Sequence, residues 1–213
     1  MTLALTRIVL GAIEGEPARS WLERALAGAE PNALAAAFTV TPRKTGGARL
    51  AAATRDALEA EGLGWIGAPA SIDELARVLL VCRAADVSAE GPADLYRQGD
   101  NAERRAVLRA LPLLPDPARF VEVGANACRS HVQSVFEAIA CENPYPARHF
   151  SELAWNQLVL KALFTGVVLE RILDLPERNN AELARMASDY AAERRAAGRS
   201  VPADIDRVTG ARS

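Results

Sequence analysis

The stretch LAWNQLVLKALFTGVVL, at residues 153–169, is the most apolar part of the sequence and decides its fold class. Its polar residues Gln157, Lys161 and Thr165 recur every four positions, which places them in a narrow ridge along one side of a helix. A helix that is apolar around the rest of its circumference must be surrounded by other helices. Because Asn156, Gln157 and Lys161 interrupt the stretch, we expect a buried helix of an all-α protein and not a membrane span.

The rest of the chain also favours helix, since alanine, leucine, glutamate and arginine dominate and β-branched residues rarely alternate with polar ones. A break near residues 87–92 predicts an N-terminal helical lobe at residues 1–90 and a C-terminal helical core at residues 91–213. The pattern predicts these helices: 3–13, 17–28, 31–38, 48–61, 71–86, 92–98, 101–111, 117–141, 147–165, 167–174, 180–197 and 202–209.

Several local signals refine this prediction. Residues 38–42 alternate and predict extended chain, and residues 42–47 predict a loop. SIDE at residues 71–74 has the form of a capping box, and DNAE at residues 100–103 is a near variant. The helix at 117–141 carries one apolar face and follows its predecessor after a short link, so the two should pack antiparallel. Such pairs are typical of a HEAT-like α-solenoid, although no clean internal repeat is present.

Composition excludes several classes of partner. The 213 residues carry a formal net charge of −2, and no basic run favours nucleic acid or an acidic membrane surface. The three cysteines, Cys82, Cys128 and Cys141, do not form a disulfide framework, and the N-terminal segment lacks the pattern of a signal peptide. We therefore expect a reduced, cytoplasmic protein.

Common catalytic motifs are missing from the sequence, which contains no Walker A, GxGxxG, GxSxG, HExxH or CxxC pattern. His131 and His149, with Glu137 and Glu142, offer mixed metal ligands, but their spacing matches no metal signature. We therefore expect no metal and no cofactor, and we lean towards a protein that is not an enzyme.

The most distinctive local feature is CENPYPARHF at residues 141–150, which we name the proline corner. Each proline fixes its own φ and restrains the residue before it, so this connection between two helices is stiff. It can direct Asn143, Tyr145 and His149 towards a common point. The stronger alternative is that the corner only sets the angle between two helices, with Asn143 capping a helix end.

Other candidate residues lie on the helices that follow the corner. Lys161, on a buried helix, is a candidate base or anion ligand, although a lysine there more often extends its ammonium to water. Arg194 lies on the apolar face of the last long helix and is expected to point inward. The candidate ligand-binding residues are Asn143, Tyr145, His149, Asn156, Gln157, Lys161 and Arg194, and the catalytic candidates are His149, Glu137 and Lys161.

Several blocks of the sequence resemble the EboA-domain family. They are LYRQGD at 95–100, ERRAVL at 103–108, VFEAIACENPYP at 135–146, HF at 149–150, NQLVLKALF at 156–164 and ERRAAGR at 193–199. The resemblance covers the C-terminal core well and residues 1–90 loosely. EboA-type proteins are encoded beside a TatD-like hydrolase, a UbiA-like prenyltransferase and a dehydroquinate-synthase-like protein, in clusters that make secondary metabolites or move them towards the periplasm. The family supplies no catalytic residues.

Two hypotheses follow from the residues and the resemblance. The first is a non-catalytic helical binding or adaptor protein in secondary-metabolite biosynthesis or traffic. Its expected partners are other proteins of the Ebo cluster, including the UbiA-like prenyltransferase, and a small metabolite. The second is an enzyme acting on a polar metabolite precursor, with His149 or Glu137 as acid or base and Lys161 or Arg194 as anion ligand. Candidates that converge in one pocket would favour the enzyme.

Overall fold

The computed structural model describes residues 2–67 and 70–210, and these form an all-α fold. Within those ranges there are fifteen α-helices and four short 3-10 helices, and the only β-type pairing is an isolated bridge between Arg49 and Ser71. The chain divides into two compact units, Met1–Ile139 and Ala140–Ser213. The predicted fold class is confirmed, whereas the solenoid arrangement stays a prediction.

The first unit contains ten α-helices, the last of which ends one residue into the second unit. They are α1 (Thr2–Ala12), α2 (Glu16–Ala27), α3 (Pro31–Thr45), α4 (Ala52–Ala60), α5 (Gly64–Gly67), α6 (Ile72–Val87), α7 (Gly91–Gln98), α8 (Asn101–Ala110), α9 (Val121–Arg129) and α10 (Gln133–Ala140). Two 3-10 helices, Leu111–Leu113 and Pro117–Phe120, lie between α8 and α9.

Helix α6 lies at the centre of the first unit. It packs against α1, α2, α3, α7 and α8, and eleven of its sixteen residues are buried. The expected division near residue 90 therefore falls inside this unit, between two helices that pack on each other. The boundary between the compact units lies at residue 139 instead, and a separate lobe ending at residue 90 stays a prediction.

Buried ion pairs join α6 to α8. Arg77 Nη2 lies 3.8 Å from Glu103 Oε1, and both side chains are less than a tenth exposed. Glu74 accepts from Arg105 at 3.3 Å and lies 3.6 Å from Arg109 Nε. Breaking a buried pair by removing one partner costs about 3–5 kcal/mol, because a charge is left without its counter-ion. These pairs therefore hold the register of α8 on α6.

The same arginine corrects the prediction of extended chain at residues 38–42. Helix α3 continues through Pro42 to Thr45, so both the extended segment and most of the loop at 42–47 were wrong. Pro42 has no N–H for the carbonyl of Phe38, four residues earlier. Arg77 Nε donates to that carbonyl at 3.0 Å, and Arg77 Nη2 donates to the carbonyl of Thr39 at 3.4 Å. A side chain from α6 thus replaces the hydrogen bond that the proline removes.

The predicted helix at 117–141 is also wrong as a single element. It consists of a 3-10 turn, then α9, then a break at residues 130–132, then α10. Ser130 leaves helical backbone at ψ 138°, and its hydroxyl oxygen accepts from the N–H of Val132 at 3.1 Å. The apolar stripe that predicted one helix therefore spans two.

Of the two predicted capping boxes, the structure contains the one at α8 and not the one at α6. Asp100 accepts from the N–H of Glu103 at 2.8 Å, and Glu103 accepts from the N–H of Asp100 at 2.9 Å, which completes the capping box of α8. Ser71 makes no such contact, because its hydroxyl donates to the Asp73 carboxylate instead. The predicted box at α6 is therefore wrong.

The second unit contains five α-helices: α11 (Tyr145–His149), α12 (Glu152–Thr165), α13 (Leu175–Arg178), α14 (Ala181–Ala196) and α15 (Asp206–Thr209). Two 3-10 helices, Leu169–Arg171 and Ala203–Ile205, lie between them. Across the described ranges, no helix combines the length and the apolar character needed to cross a membrane.

Helix α12 confirms most of the prediction for residues 153–169. Seven of its fourteen residues are buried, Trp155 completely. Ser151 accepts from the N–H of Ala154 at 3.3 Å at its start, and Gly166, at φ 74°, ends it. The chain beyond Gly166 is not part of this helix, and Leu153 and Phe164 are more than half exposed. One side of α12 therefore faces solvent, and the expectation that other helices surround it is wrong on that side.

Candidate functional site

The proline corner is held rigid by contacts within the second unit. Asn143 is 2% exposed, and its Oδ1 accepts from the N–H of Tyr145 at 3.0 Å, so it caps the start of α11. Glu142, at φ 43°, forms a two-point ion pair with Arg171 at 2.7 and 3.1 Å. Both polar side chains therefore stabilise the turn itself.

The structure brings the rings of Tyr145 and His149, two of the predicted site residues, into contact. Tyr145 is fully buried, and its ring centroid lies 4.8 Å from that of His149, with 38° between the planes. Phe150 packs edge-on against the same tyrosine at 6.1 Å. The three rings form a small aromatic cluster under the corner.

The remaining candidates serve separate contacts. Asn156, 2% exposed, exchanges two hydrogen bonds with Asn180 at 3.2 and 2.9 Å, and Asn180 caps α14 by accepting from the N–H of Leu183 at 2.9 Å. Gln157 is exposed and Lys161 is half-buried.

Arg194, on α14, and Glu137, on α10, each contact a residue one helical turn earlier. The Arg194 guanidinium donates to the hydroxyl of Tyr190 at 3.2 Å and to the carbonyl of Ser200, and it lies over the Tyr190 ring. Glu137, on α10 in the first unit, accepts from the Gln133 amide at 3.0 Å.

One structural residue of the corner was missed by sequence reasoning. Arg178 Nη1 donates to the carbonyls of Pro146, Ala147 and Phe150 at 3.0, 2.9 and 3.1 Å. Its guanidinium lies 4.9 Å from the ring of Trp155. No local signal marks Arg178, because its acceptors lie about thirty residues earlier in the chain.

A second candidate site lies in the first unit, where α7, α8 and α9 enclose an open cavity of about 540 Å³. We name it the arginine groove. Its polar lining comprises Tyr96, Arg97, Arg104, Glu122, Asn126 and Arg129. Three guanidinium groups and one carboxylate make this surface positive, although the whole chain carries a net charge of −2.

The charges of the groove are only partly used by the protein. Arg104 Nε donates to the carbonyl of Tyr96 at 3.2 Å, and its guanidinium lies 5.7 Å from the Tyr96 ring centroid. Arg129 donates to the Asn126 amide oxygen at 2.7 Å. Arg97 pairs with Asp94. In the part of the chain that is described, neither Arg104 nor Arg129 pairs with a carboxylate, so both retain a charge that an anion can neutralise.

The phenol of Tyr96 complements those guanidinium groups. Burial raises its pKa above the usual 10.0, Arg104 and Arg129 oppose this rise, and Cys128 adds to it. The hydroxyl therefore stays protonated at neutral pH and is a hydrogen-bond donor. Together the groove offers two cations, a donor and an aromatic face.

The sequence contains signals for the residues of this groove, but these signals lie in separate segments. Tyr96, Arg97 and Arg104 lie in or beside the block at 95–100 that carries the family resemblance. Glu122, Asn126 and Arg129 share one face of a helix by their spacing of four and three. What the sequence does not show is that α7, α8 and α9 meet around one cavity.

Metal ligands and thiols are the other reactive groups to be placed among the described residues. No cluster of three histidine, cysteine or carboxylate side chains suited to a metal occurs among them. On α6, burial and, to a smaller extent, the charge of Asp86 raise the pKa of the Cys82 thiol to about 12, so the thiolate form is negligible at neutral pH.

Comparison with known proteins identifies one family. The model of a family described as "Metabolite traffic protein EboA" matches residues 5–210. No curated protein and no solved structure matches the chain. The match includes residues 5–90, a region where the sequence blocks gave only a loose resemblance. The chain therefore belongs to the EboA family of metabolite traffic proteins.

Proposed function

We propose that this protein is a non-catalytic binding protein of metabolite traffic, and that it holds an anionic metabolite reversibly in the arginine groove. The family description supports the role in traffic. The observation that carries the ligand assignment is the pair of guanidinium groups, Arg104 and Arg129, which border the cavity without a carboxylate partner among the described residues.

The chemistry of the groove suits binding and release. A carboxylate or phosphate accepts charge-assisted hydrogen bonds from the guanidinium groups, and the Tyr96 hydroxyl adds a neutral donor. The cavity is open to solvent, so the ions are screened by salt and the ligand can exchange without local unfolding. A carrier requires such reversible binding, because it must release what it carries.

The proposal also includes the location of the protein and its partner proteins. We infer a cytoplasmic protein that takes up or delivers its metabolite in contact with other Ebo-cluster proteins, of which the UbiA-like prenyltransferase is one. The family's description as a traffic protein supports this inference. A pull-down with the cluster products tests it, and the absence of any partner would count against it.

The binding itself is tested on protein purified from its own host. Native mass spectrometry should detect a bound anionic compound on the wild type, and the double variant Arg104→Gln/Arg129→Gln should lose it. Arg24→Gln, an exposed arginine on α2, makes half the charge change without touching the groove, and it should keep the compound. A compound that stays on the double variant contradicts the assignment of the groove.

The same sample tests whether the protein converts the compound that it binds. The isolated compound is returned to the wild-type protein and followed by mass spectrometry, and we expect it unchanged. Conversion by the wild type that is lost in His149→Asn would favour the enzyme hypothesis. His149 is the variant of choice because it is a half-buried candidate packed against Tyr145.

A further inference from the structure

A second cavity of the first unit lies on another side of α7 from the arginine groove. It lies between the first turns of α3, the C-terminal end of α6, and α7, with a volume of about 130 Å³. We name it the α7 pocket. Its apolar walls are Leu34, Ala35, Ala84, Val87 and Leu95, and its polar side chains include Asp94.

The pocket is built into the packing of α6 and α7. A Cβ atom on Gly91 would lie 2.7 Å from the carbonyl oxygen of Ala84, so only glycine allows α7 to begin this close to the end of α6. The N–H of Gly91 donates to the carbonyl of Ser88 at 3.0 Å, which fixes the connection between the two helices. The cavity is therefore defined by a tight turn and two helix ends.

Its lining has the properties of a small-molecule site. Leu34 and Ala84 are buried, whereas Val87 and Leu95 remain partly exposed inside a concave surface. A dry cavity of roughly 150 Å³ lined by aliphatic side chains is large enough to bind benzene. The α7 pocket has a similar volume, about 130 Å³, so it can hold one six-membered ring, and its open side lets a substituent extend to solvent.

We propose that the α7 pocket binds a compact single-ring molecule that carries one hydrogen-bond donor, with the Asp94 carboxylate as its acceptor. The apolar walls hold the ring, and the carboxylate, already paired with Arg97 on its own helix, has further acceptor positions. Phenol has this chemistry, and anisole has the same ring and oxygen without the donor. The pair therefore separates the contribution of the donor from that of the ring.

The test is a titration of full-length protein with phenol, followed by ¹H–¹⁵N NMR spectra. We expect saturable shifts in α3, the end of α6 and α7, and an affinity for anisole about tenfold lower. Ala35→Leu places a larger side chain in the pocket and should abolish the binding. Ala36→Leu, exposed on the same helix, should preserve it.

Several outcomes would overturn the proposal. They are the absence of saturable shifts, binding that survives in Ala35→Leu, and equal affinity for anisole. If Ala35→Leu fails to fold, nuclear Overhauser contacts between phenol and the methyl groups of Leu34 and Leu95 in the wild type decide instead, and their absence counts against the pocket. The groove variant Arg104→Gln/Arg129→Gln should bind phenol normally, so the two sites fail independently.

Discussion

The proline corner and the arginine groove both place an arginine over an aromatic ring, but they use it differently. In the corner, Arg178 lies 4.9 Å from the ring of Trp155 and donates to three backbone carbonyls. In the groove, Arg104 lies 5.7 Å from the ring of Tyr96 and donates to one carbonyl. A guanidinium has five N–H donors, so Arg104, which uses one, retains more capacity for a ligand than Arg178, whose Nη1 serves three carbonyls.

The comparison shows how polar residues in and near the corner are used by the fold. Asn143 caps α11, Asn156 orients the cap of α14, and Glu142 pairs with Arg171. A side chain already satisfied by the protein gains little from a ligand, since the ligand only replaces existing hydrogen bonds. Residue type alone therefore does not distinguish a structural polar group from a binding one; the partners do.

The largest expected effect comes from a third arginine that is fully committed to the fold. Arg77→Met should destabilise the protein by about 3–5 kcal/mol, because it leaves Glu103 buried without its counter-ion. Urea denaturation measures the change, with Arg24→Met as the exposed control.

A double-mutant cycle sharpens this prediction. Pro42→Ala restores an N–H that can bond the carbonyl of Phe38, the acceptor that Arg77 now serves. The decrease in the free energy of unfolding caused by Arg77→Met should therefore be smaller by about 1 kcal/mol in the Pro42→Ala background. Strict additivity would show that the Arg77 contact to α3 contributes nothing.

The comparison of the two aromatic arginines is tested directly by matched variants. Arg178→Met should cost about 2–3 kcal/mol, because part-buried carbonyls of α11 lose their donor. Arg104→Met should cost less than about 1 kcal/mol, since the carbonyl of Tyr96 can bond water at the open groove. Equal losses of stability for the two variants in thermal denaturation would contradict the proposed difference between Arg178 and Arg104.

A smaller effect is expected from the phenol of the groove. Burial raises the pKa of Tyr96, so folding favours its protonated form. Its contribution to stability is complete below the unfolded pKa, near 10, and is lost as the pH rises through the folded value. Stability measured from pH 9 to pH 11 should therefore fall more steeply for the wild type than for Tyr96→Phe, and parallel curves would contradict the burial of this hydroxyl.

Local patterns predicted the parts of the fold that depend on nearby residues. The body of helix α12 follows from its apolar residues, although the predicted helix at 147–165 was wrong in running through the end of α11 and the break at residues 150–151. The α8 box follows from Asp100 and Glu103. Helix α3 passes Pro42 only because Arg77, thirty-five residues later, bonds the freed carbonyl, and a distant donor cannot be read from a local pattern.

The candidate site was harder to predict for the same reason. The proline corner is conspicuous in the sequence because its residues are adjacent, and Tyr145 and His149 do meet there. The arginine groove draws Tyr96, Arg104 and Arg129 from three helices, so no single segment displays it. The spacing of Glu122, Asn126 and Arg129 places them on one face of a helix. It does not show that this helix, α9, ends before the break at residues 130–132.

The most direct test of the groove is an NMR titration with benzoate, a planar anion that can use both the guanidinium groups and the face of Tyr96. We predict saturable shifts at Tyr96, Arg104 and Arg129, weakened at high salt, with no change at His149 and Asn156. Shifts centred on the proline corner, or none at the groove at saturating benzoate, would contradict the account.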